Sequence, residues 1–231
     1  ILIDPFGGND DYGTGVRWGY QINGLNENDE MYKAALVLKE KLEEYGFVVG
    51  LTKNSMEQQI NTNGVDGRAY IGYEHEAKLY LNLQFNGSDY SSTSGIEITH
   101  SYYASSALAN QIIHDLEESV GLMGSTLYPG TVQNGVLTNT AKNAEGILYD
   151  NNSVVRETGG VATGAGSMNE SMREENAFAS GNKKGMQALM MRLIYVSNPM
   201  DYKLWVDDYE SIMSSIADSI ATYYQIEIGD H

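Results

Sequence analysis

Cysteine is absent from the 231 residues of this chain. Disulfides and thiolate metal sites are therefore excluded, and the redox compartment is left open. Proline is scarce, at three residues. No Pro/Gly/Ser-rich linker or shift in composition divides the chain, so it reads as a single domain over residues 1–231, long enough for a sizeable core. Basic charge is scarce as well: 14 Lys and Arg stand against 31 Asp and Glu, for a formal net charge of −17. That balance disfavours nucleic acid, anionic lipid headgroups and other polyanions as partners. Its plainest consequence is an acidic, well-solvated surface. Long apolar runs are missing too, so no membrane insertion is expected. Neither a signal peptide nor an initiator Met is visible, and the chain opens inside an apolar stretch, Ile1-Leu2-Ile3-Asp4. A domain excised from a longer protein, its targeting segment removed, fits that opening.

The clearest pattern present is Lys78-Leu79-Tyr80-Leu81-Asn82-Leu83-Gln84-Phe85-Asn86-Gly87. Leu79, Leu81 and Leu83 alternate with Tyr80, Asn82 and Gln84, the two-residue period of a pleated strand. Asn86-Gly87-Ser88-Asp89 ends it at a polar corner. Ile1 to Asp4 reads as a strand closed by Pro5, and Phe6 to Gly24 as a Gly/Asn/Asp-rich loop. Met31, Ala34, Ala35, Leu38 and Leu42 recur at helical spacing behind Asn26 or Asn28 as cap, with Gly46 at the end. Phe47 to Thr52 reads as a strand, Gly67 to Ala77 as a short helix, Gly95 to Tyr102 as a strand and Ala104 to Val120 as a helix. Leu122 to Asp150 has turn signals and no period. Ser153 to Gly160 reads as a strand entering a glycine loop. Gly185 to Val196 holds a last strand and Asp207 to Tyr224 a last helix. Strands alternating with helices imply an α/β three-layer domain, a twisted, largely parallel (mixed) sheet flanked by helices.

The segments Ile1 to Asp10, Glu27, Gly46 to Lys53, Arg68-Ala69 with Leu81 to Asn86, Gly95 to Glu97, Arg156 to Gly166 and Tyr195 to Pro199, taken in order, resemble the motifs of the zinc-dependent N-acetylmuramoyl-L-alanine amidases of the amidase-3 type. Ile1-Leu2-Ile3-Asp4-Pro5 before Gly7-Gly8-Asn9-Asp10 resembles the family's opening Asp-Pro-Gly-His-Gly-Gly motif. Glu27, just ahead of the first helix, resembles its second motif. Gly46 to Lys53 is similar to the strand that follows. Arg68-Ala69 and then Leu81 to Asn86 resemble the stretch ending Ser-Ile-His-x-Asn, and Gly95-Ile96-Glu97 the next strand. Arg156-Glu157-Thr158 with Gly159 to Gly166 looks like a loop of Gram-positive relatives. Tyr195-Val196-Ser197-Asn198-Pro199 resembles the closing Gly-Phe-Ile-Ser-Asn motif.

The resemblance implies zinc held by two His and one Glu, with a second Glu as general acid/base. Here Phe6 stands where Gly-His would, Gln84 replaces the second His, and Arg192 falls on the catalytic Glu. Of that set only Glu27 is kept. Arginine does not deprotonate in proteins and is no general base. The expectation is therefore a catalytically degenerate amidase-like domain that needs no cofactor. Its expected partners are peptidoglycan or another protein, in an extracellular or cell-wall-associated setting implied by the resemblance. The alternative is an active amidase with an unrecognised ligand set; His75, His100, His114 and His231 are the substitute ligands it would draw on, and each reads as an ordinary solvated or packed side chain. Glu27, Gln84, Asn86 and Arg192 are the vestigial-site candidates. Glu27 and Arg192 are expected to form a salt bridge beside Gln84, filling the former metal position. Arg156, Glu157 and Thr158 are further binding candidates, with Arg156 suited to a peptide carboxylate. The loop Gly159 to Gly166 lacks the Lys and spacing of a P-loop and stays open between a plain surface loop and a binding loop.

Overall fold

The computed structural model describes residues 1–8, 19–22, 24–61, 67–146, 148–156, 158 and 186–226. In chain order the elements are β1 (Leu2–Pro5), β2 (Gln21–Ile22), β3 (Leu25–Asn26), α1 (Glu27–Glu44), β4 (Gly50–Leu51), α2 (Arg68–Glu74) and β5 (Leu79–Asn86). Then come β6 (Glu97–His100), α3 (Ala107–Ser119), β7 (Val136–Leu137), β8 (Thr140–Lys142), β9 (Leu148–Asp150), β10 (Gln187–Tyr195) and α4 (Pro199–Tyr223). A six-stranded sheet runs β4-β1-β5-β10-β6-β7. The strands β4, β1, β5 and β10 are parallel, β6 is antiparallel to β10, and β7 is parallel to β6. This is the mixed, mostly parallel sheet of an α/β three-layer fold.

The alternation in β5 assigns its two faces. Leu79, Leu81, Leu83 and Phe85, with Ile3, Ile98, Leu189, Met191 and Leu193 from neighbouring strands, meet Met31, Leu38 and Leu42 of α1, Ile112 and Leu116 of α3, and Ile212, Ile216 and Ile220 of α4. Phe85 sits edge-on to Trp205 of α4 at 4.9 Å between ring centroids. The opposite face changes character along the strands. The first row across it, Leu2–Tyr80–Ala188, is apolar and packs on Ala69 and Tyr73 of α2. The second is Asp4–Asn82–Met190–Thr99. The third, at the carboxyl end of β5, is Gln84–Arg192–Glu97. Chemistry in open α/β sheets gathers at that end of the strands.

Several expected boundaries move. Phe47 to Val49 do not pair in the sheet: only Gly50–Leu51 do, at its edge, and Val48 is 90% exposed. Ser153 to Arg156 are helical, not extended. The Asn152 carboxamide oxygen accepts from Val155 N at 3.1 Å, and Arg156 N donates to Asn152 O at 2.9 Å. That local cap outweighs the β-branched pair Val154-Val155. The final helix begins earlier than the apolar period indicates. Asn198 accepts from Met200 N (2.9 Å) and Asp201 N (3.1 Å), and Pro199 occupies the first turn. The expected start near Asp207 falls at a break, where Asp208 has φ −157° and ψ 42°. The aperiodic segment 122–150 contains β7, β8 and β9.

Candidate functional site

Glu27 lies in the first turn of α1, behind the Asn26 cap, and is 1% exposed. Its Oε2 accepts from Tyr20 N at 2.7 Å, and its Oε1 accepts from Phe85 N at the end of β5. Gly19 permits this closeness: at φ +131°, a Cβ there would sit 3.2 Å from Glu27 Oε2. Burial pushes the Glu27 carboxyl up to about 7; the Phe85 and Tyr20 amides and, least, the Arg192 charge pull it back. The expected salt bridge to Arg192 does not form. Arg192 Nη1 lies 3.6 Å from Glu97 Oε2 instead. The physical reason is strand order. The antiparallel strand β6 places Glu97 directly opposite Arg192, whereas the Glu27 oxygens point to the backbone N–H groups of Tyr20 and Phe85.

Glu97 is 1% exposed and is the residue that sequence reasoning missed as a site member. Its Oε2 accepts from Asn86 Nδ2 at 2.9 Å, and its Oε1 accepts from the Tyr195 hydroxyl. Burial, then the Glu97 contact, pushes the Tyr195 phenol far above its ordinary range. A register shift between Arg192 and Tyr195 makes this convergence possible. Leu193 and Ile194 both turn into the core, and Tyr195 comes back beside Asn86. The available signal was an acid between Ile96 and Ile98 on an apolar strand: a carboxylate there needs partners.

Gln84 Nε2 donates to Asn82 Oδ1 at 2.5 Å, which ties the row to a buried network below it. Asp4, fully buried, accepts from Thr52 Oγ1, Tyr80 OH and Asn82 Nδ2, each at 2.7 Å, and from Arg68 Nη1. Arg68 also donates to Pro5 O (3.0 Å) and Gly7 O (3.1 Å), holding the turn after β1. Lys53, fully buried, donates to Gly7 O at 3.2 Å and to Asn28 Oδ1.

The structure thus brings Gln84, Asn86 and Arg192 together with Glu97 and Tyr195, and sets Glu27 against the neighbouring end of β5. Arg156 and Thr158 serve other contacts. Arg156 Nη1 donates to the carbonyls of Asp150 (3.1 Å) and Asn151 (3.3 Å), and Thr158 Oγ1 to Val154 O at 2.8 Å. Glu157, Asn9, Asp10, Gly159 to Gly166 and His231 lie outside the described residues. His114 pairs with Glu118 at 3.6 Å on the surface, and His100 Nδ1 is 2.8 Å from Ser101 O. Among the described residues, no three His, Asp or Glu side chains are grouped to hold a metal.

A six-stranded mixed sheet covered by helices, with a polar row at the carboxyl end of its longest parallel strands, defines an α/β three-layer protein. Residues 1–222 match the family model Amidase_3, N-acetylmuramoyl-L-alanine amidase, and the chain belongs to that family. It is similar in fold to the catalytic domain of CwlV, an N-acetylmuramoyl-L-alanine amidase from Bacillus (Paenibacillus) polymyxa var. colistinus, with 19% identity, 98% of each chain covered and a TM-score of 0.64. AmiC2, an N-acetylmuramoyl-L-alanine amidase of Nostoc punctiforme, shares 18% identity over 97% of this chain and 96% of its own, at a TM-score of 0.61. The CwlD amidase from Clostridioides difficile, solved in complex with the GerS lipoprotein, shares 15% identity over 98% of each chain, at 0.63. No curated protein matches the chain.

Proposed function

We propose that this domain is a non-catalytic member of the amidase family: a peptidoglycan-binding or protein-interaction domain of a bacterial cell-surface protein, extracellular or wall-associated. One observation carries the reading. At the position that resembles the catalytic glutamate stands Arg192, engaged across the strands with Glu97. A guanidinium takes up no proton, and its carboxylate partner is already bound by Asn86 and Tyr195.

Among the described residues, the positions that resemble the zinc ligands do not fit a catalytic zinc ion. Such an ion needs three protein ligands and an open position. Phe6 offers none, Gln84 is a neutral amide tied to Asn82, both Glu27 oxygens accept backbone N–H groups, and Arg192 opposes a dication by charge. The amidase solved with a lipoprotein makes a protein partner a reading to test beside the wall itself.

A rival reading, an active amidase with a different ligand set, is favoured by one feature: a carboxyl at about 7 suits proton transfer near neutrality. One assay separates the two. Purified protein incubated with cell-wall sacculi, with and without added zinc, is expected to release no soluble muropeptide while sedimenting with the sacculi. Release that a chelator abolishes would overturn the non-catalytic reading. Protein left in the supernatant would move the role from the wall to a protein partner.

A further inference from the structure

Arg192 is oddly placed for a residue whose only task is to neutralise a neighbour. Its side chain is 33% exposed while Glu97 is 1% exposed, and the two meet at 3.6 Å, beyond hydrogen-bond length. Among the described residues it donates no hydrogen bond, although a guanidinium carries five N–H groups. Glu97 does not close around it: its oxygens accept from Tyr195 and Asn86, and the guanidinium stays 3.6 Å from Oε2. Glu97 therefore fixes the guanidinium electrostatically and leaves much of its planar fork open. On the other side of the row stands Gln84, half-buried, with one amide hydrogen given to Asn82 and the second free to donate.

We propose that Arg192, held between Gln84 and Glu97 at the carboxyl end of the sheet, anchors a subsite for a carboxylate. This rests on the non-catalytic reading only in taking Arg192 as placed for binding. The planar fork matches two carboxylate oxygens bidentately, and the Gln84 amide is set to donate to one of them. A singly charged carboxylate suits the site better than a phosphate dianion, because Glu27 and Glu97 lie close beneath and a second negative charge meets their repulsion. Among the described residues Glu27 makes no salt bridge to the fork; its oxygens accept from Tyr20 and Phe85. Two chemical forms carry such a carboxylate, a peptide C-terminus and a small free acid.

The experiment is an NMR titration of the ¹⁵N-labelled full chain, read at the arginine Nε–H signals and the amides near Gln84. The probes are N-acetyl-Ala-Ala with a free carboxylate, its C-terminal amide, and acetate. The free acid is expected to shift these signals with an affinity about tenfold or more above the amide, and Arg192→Lys to weaken it by about tenfold through loss of the fork. The double variant Arg192→Gln with Glu97→Gln removes the pair without stranding a buried charge, and is expected to abolish the selectivity. Dipeptide binding tighter than acetate binding assigns the ligand to a peptide terminus; equal binding assigns it to small acids. Equal affinity for acid and amide overturns the subsite, as does acid binding unchanged in Arg192→Lys and the double variant. Sacculus sedimentation, run in parallel, keeps the two readings separate. Sedimentation without acid selectivity overturns the subsite alone, and acid selectivity without sedimentation overturns the wall reading alone.

Discussion

Two arginine–carboxylate pairs lie on the same face of the sheet and differ in almost every respect. Arg68 and Asp4 are sealed, at 1% and 0% exposure. Asp4 also accepts from Thr52, Tyr80 and Asn82, and Arg68 also donates to two loop carbonyls. Arg192 and Glu97 are sealed on the acid's side only, and the arginine meets its partner loosely. A buried pair whose acid accepts four hydrogen bonds and whose guanidinium also donates to two backbone carbonyls ties together the elements that supply it, here β1, β5, α2 and the segment after β4. A pair with one end open to water adds little rigidity and leaves donors for something else. The contrast marks where the face stops being core and starts being a surface that can bind.

The largest expected effect is at the sealed pair. Arg68→Ala leaves the Asp4 carboxylate buried without its cation, and the loss is expected to be ~3–5 kcal/mol. The denaturant midpoint should fall with little change in slope. A loss no larger than ~1 kcal/mol, the range of surface pairs, would erase the contrast.

Glu27 sharpens it from a third direction, as a buried carboxylate held by two backbone donors, with the charge of Arg192 acting on it only weakly. Its folded-state value of about 7 lies above its ordinary 4.5. The folded protein therefore holds this proton more tightly than the unfolded chain does. This contribution to stability is fully present below the unfolded value, is lost as pH rises from there to about 7, and stays level above. The span corresponds to roughly 3 kcal/mol at most. Urea midpoints measured across that window should fall for the native protein and stay flatter for Glu27→Gln. Parallel curves for the two would remove Glu27 from the account.

The smallest effect belongs to the open pair. Arg192→Ala is expected to cost ~1–3 kcal/mol, because Glu97 loses its cation yet keeps Asn86 and Tyr195 as donors. Measured in the same denaturant series, a loss equal to that of Arg68→Ala would make the two pairs equivalent and the openness of Arg192 irrelevant to stability.

Much of the frame was legible in the chain. Leu79, Leu81 and Leu83 against Tyr80, Asn82 and Gln84 assigned both faces of β5, since side chains on a strand alternate by geometry. The apolar rows of α1 and of the second half of α4 assigned their buried sides for the same kind of reason. The candidates Gln84, Asn86 and Arg192 were legible from their order along the chain; Gln84 stands opposite Arg192 in register, and Asn86 and Arg192 both reach Glu97. The partner of Arg192 was not. Resemblance to a metal site pointed to Glu27, because a metal draws its ligands together. Without one, contact is decided by which strand lies beside β10.

Periodicity and motif order, which act over a few residues, therefore determined by themselves the central strands, the helices that cover them and, of the polar residues at the carboxyl end, Gln84, Asn86 and Arg192. The antiparallel entry of β6, the register shift that returns Tyr195 to Asn86, and the cap at Asn152 that coils Ser153 to Arg156 are decided otherwise. The first two depend on pairing between segments far apart in the chain, and the third on a side chain competing for its own backbone. The choice of Glu97 over Glu27 as the partner of Arg192 belongs with the first two. Strand neighbours are selected by packing the whole sheet, and an ion pair forms with whichever carboxylate that packing sets opposite the guanidinium.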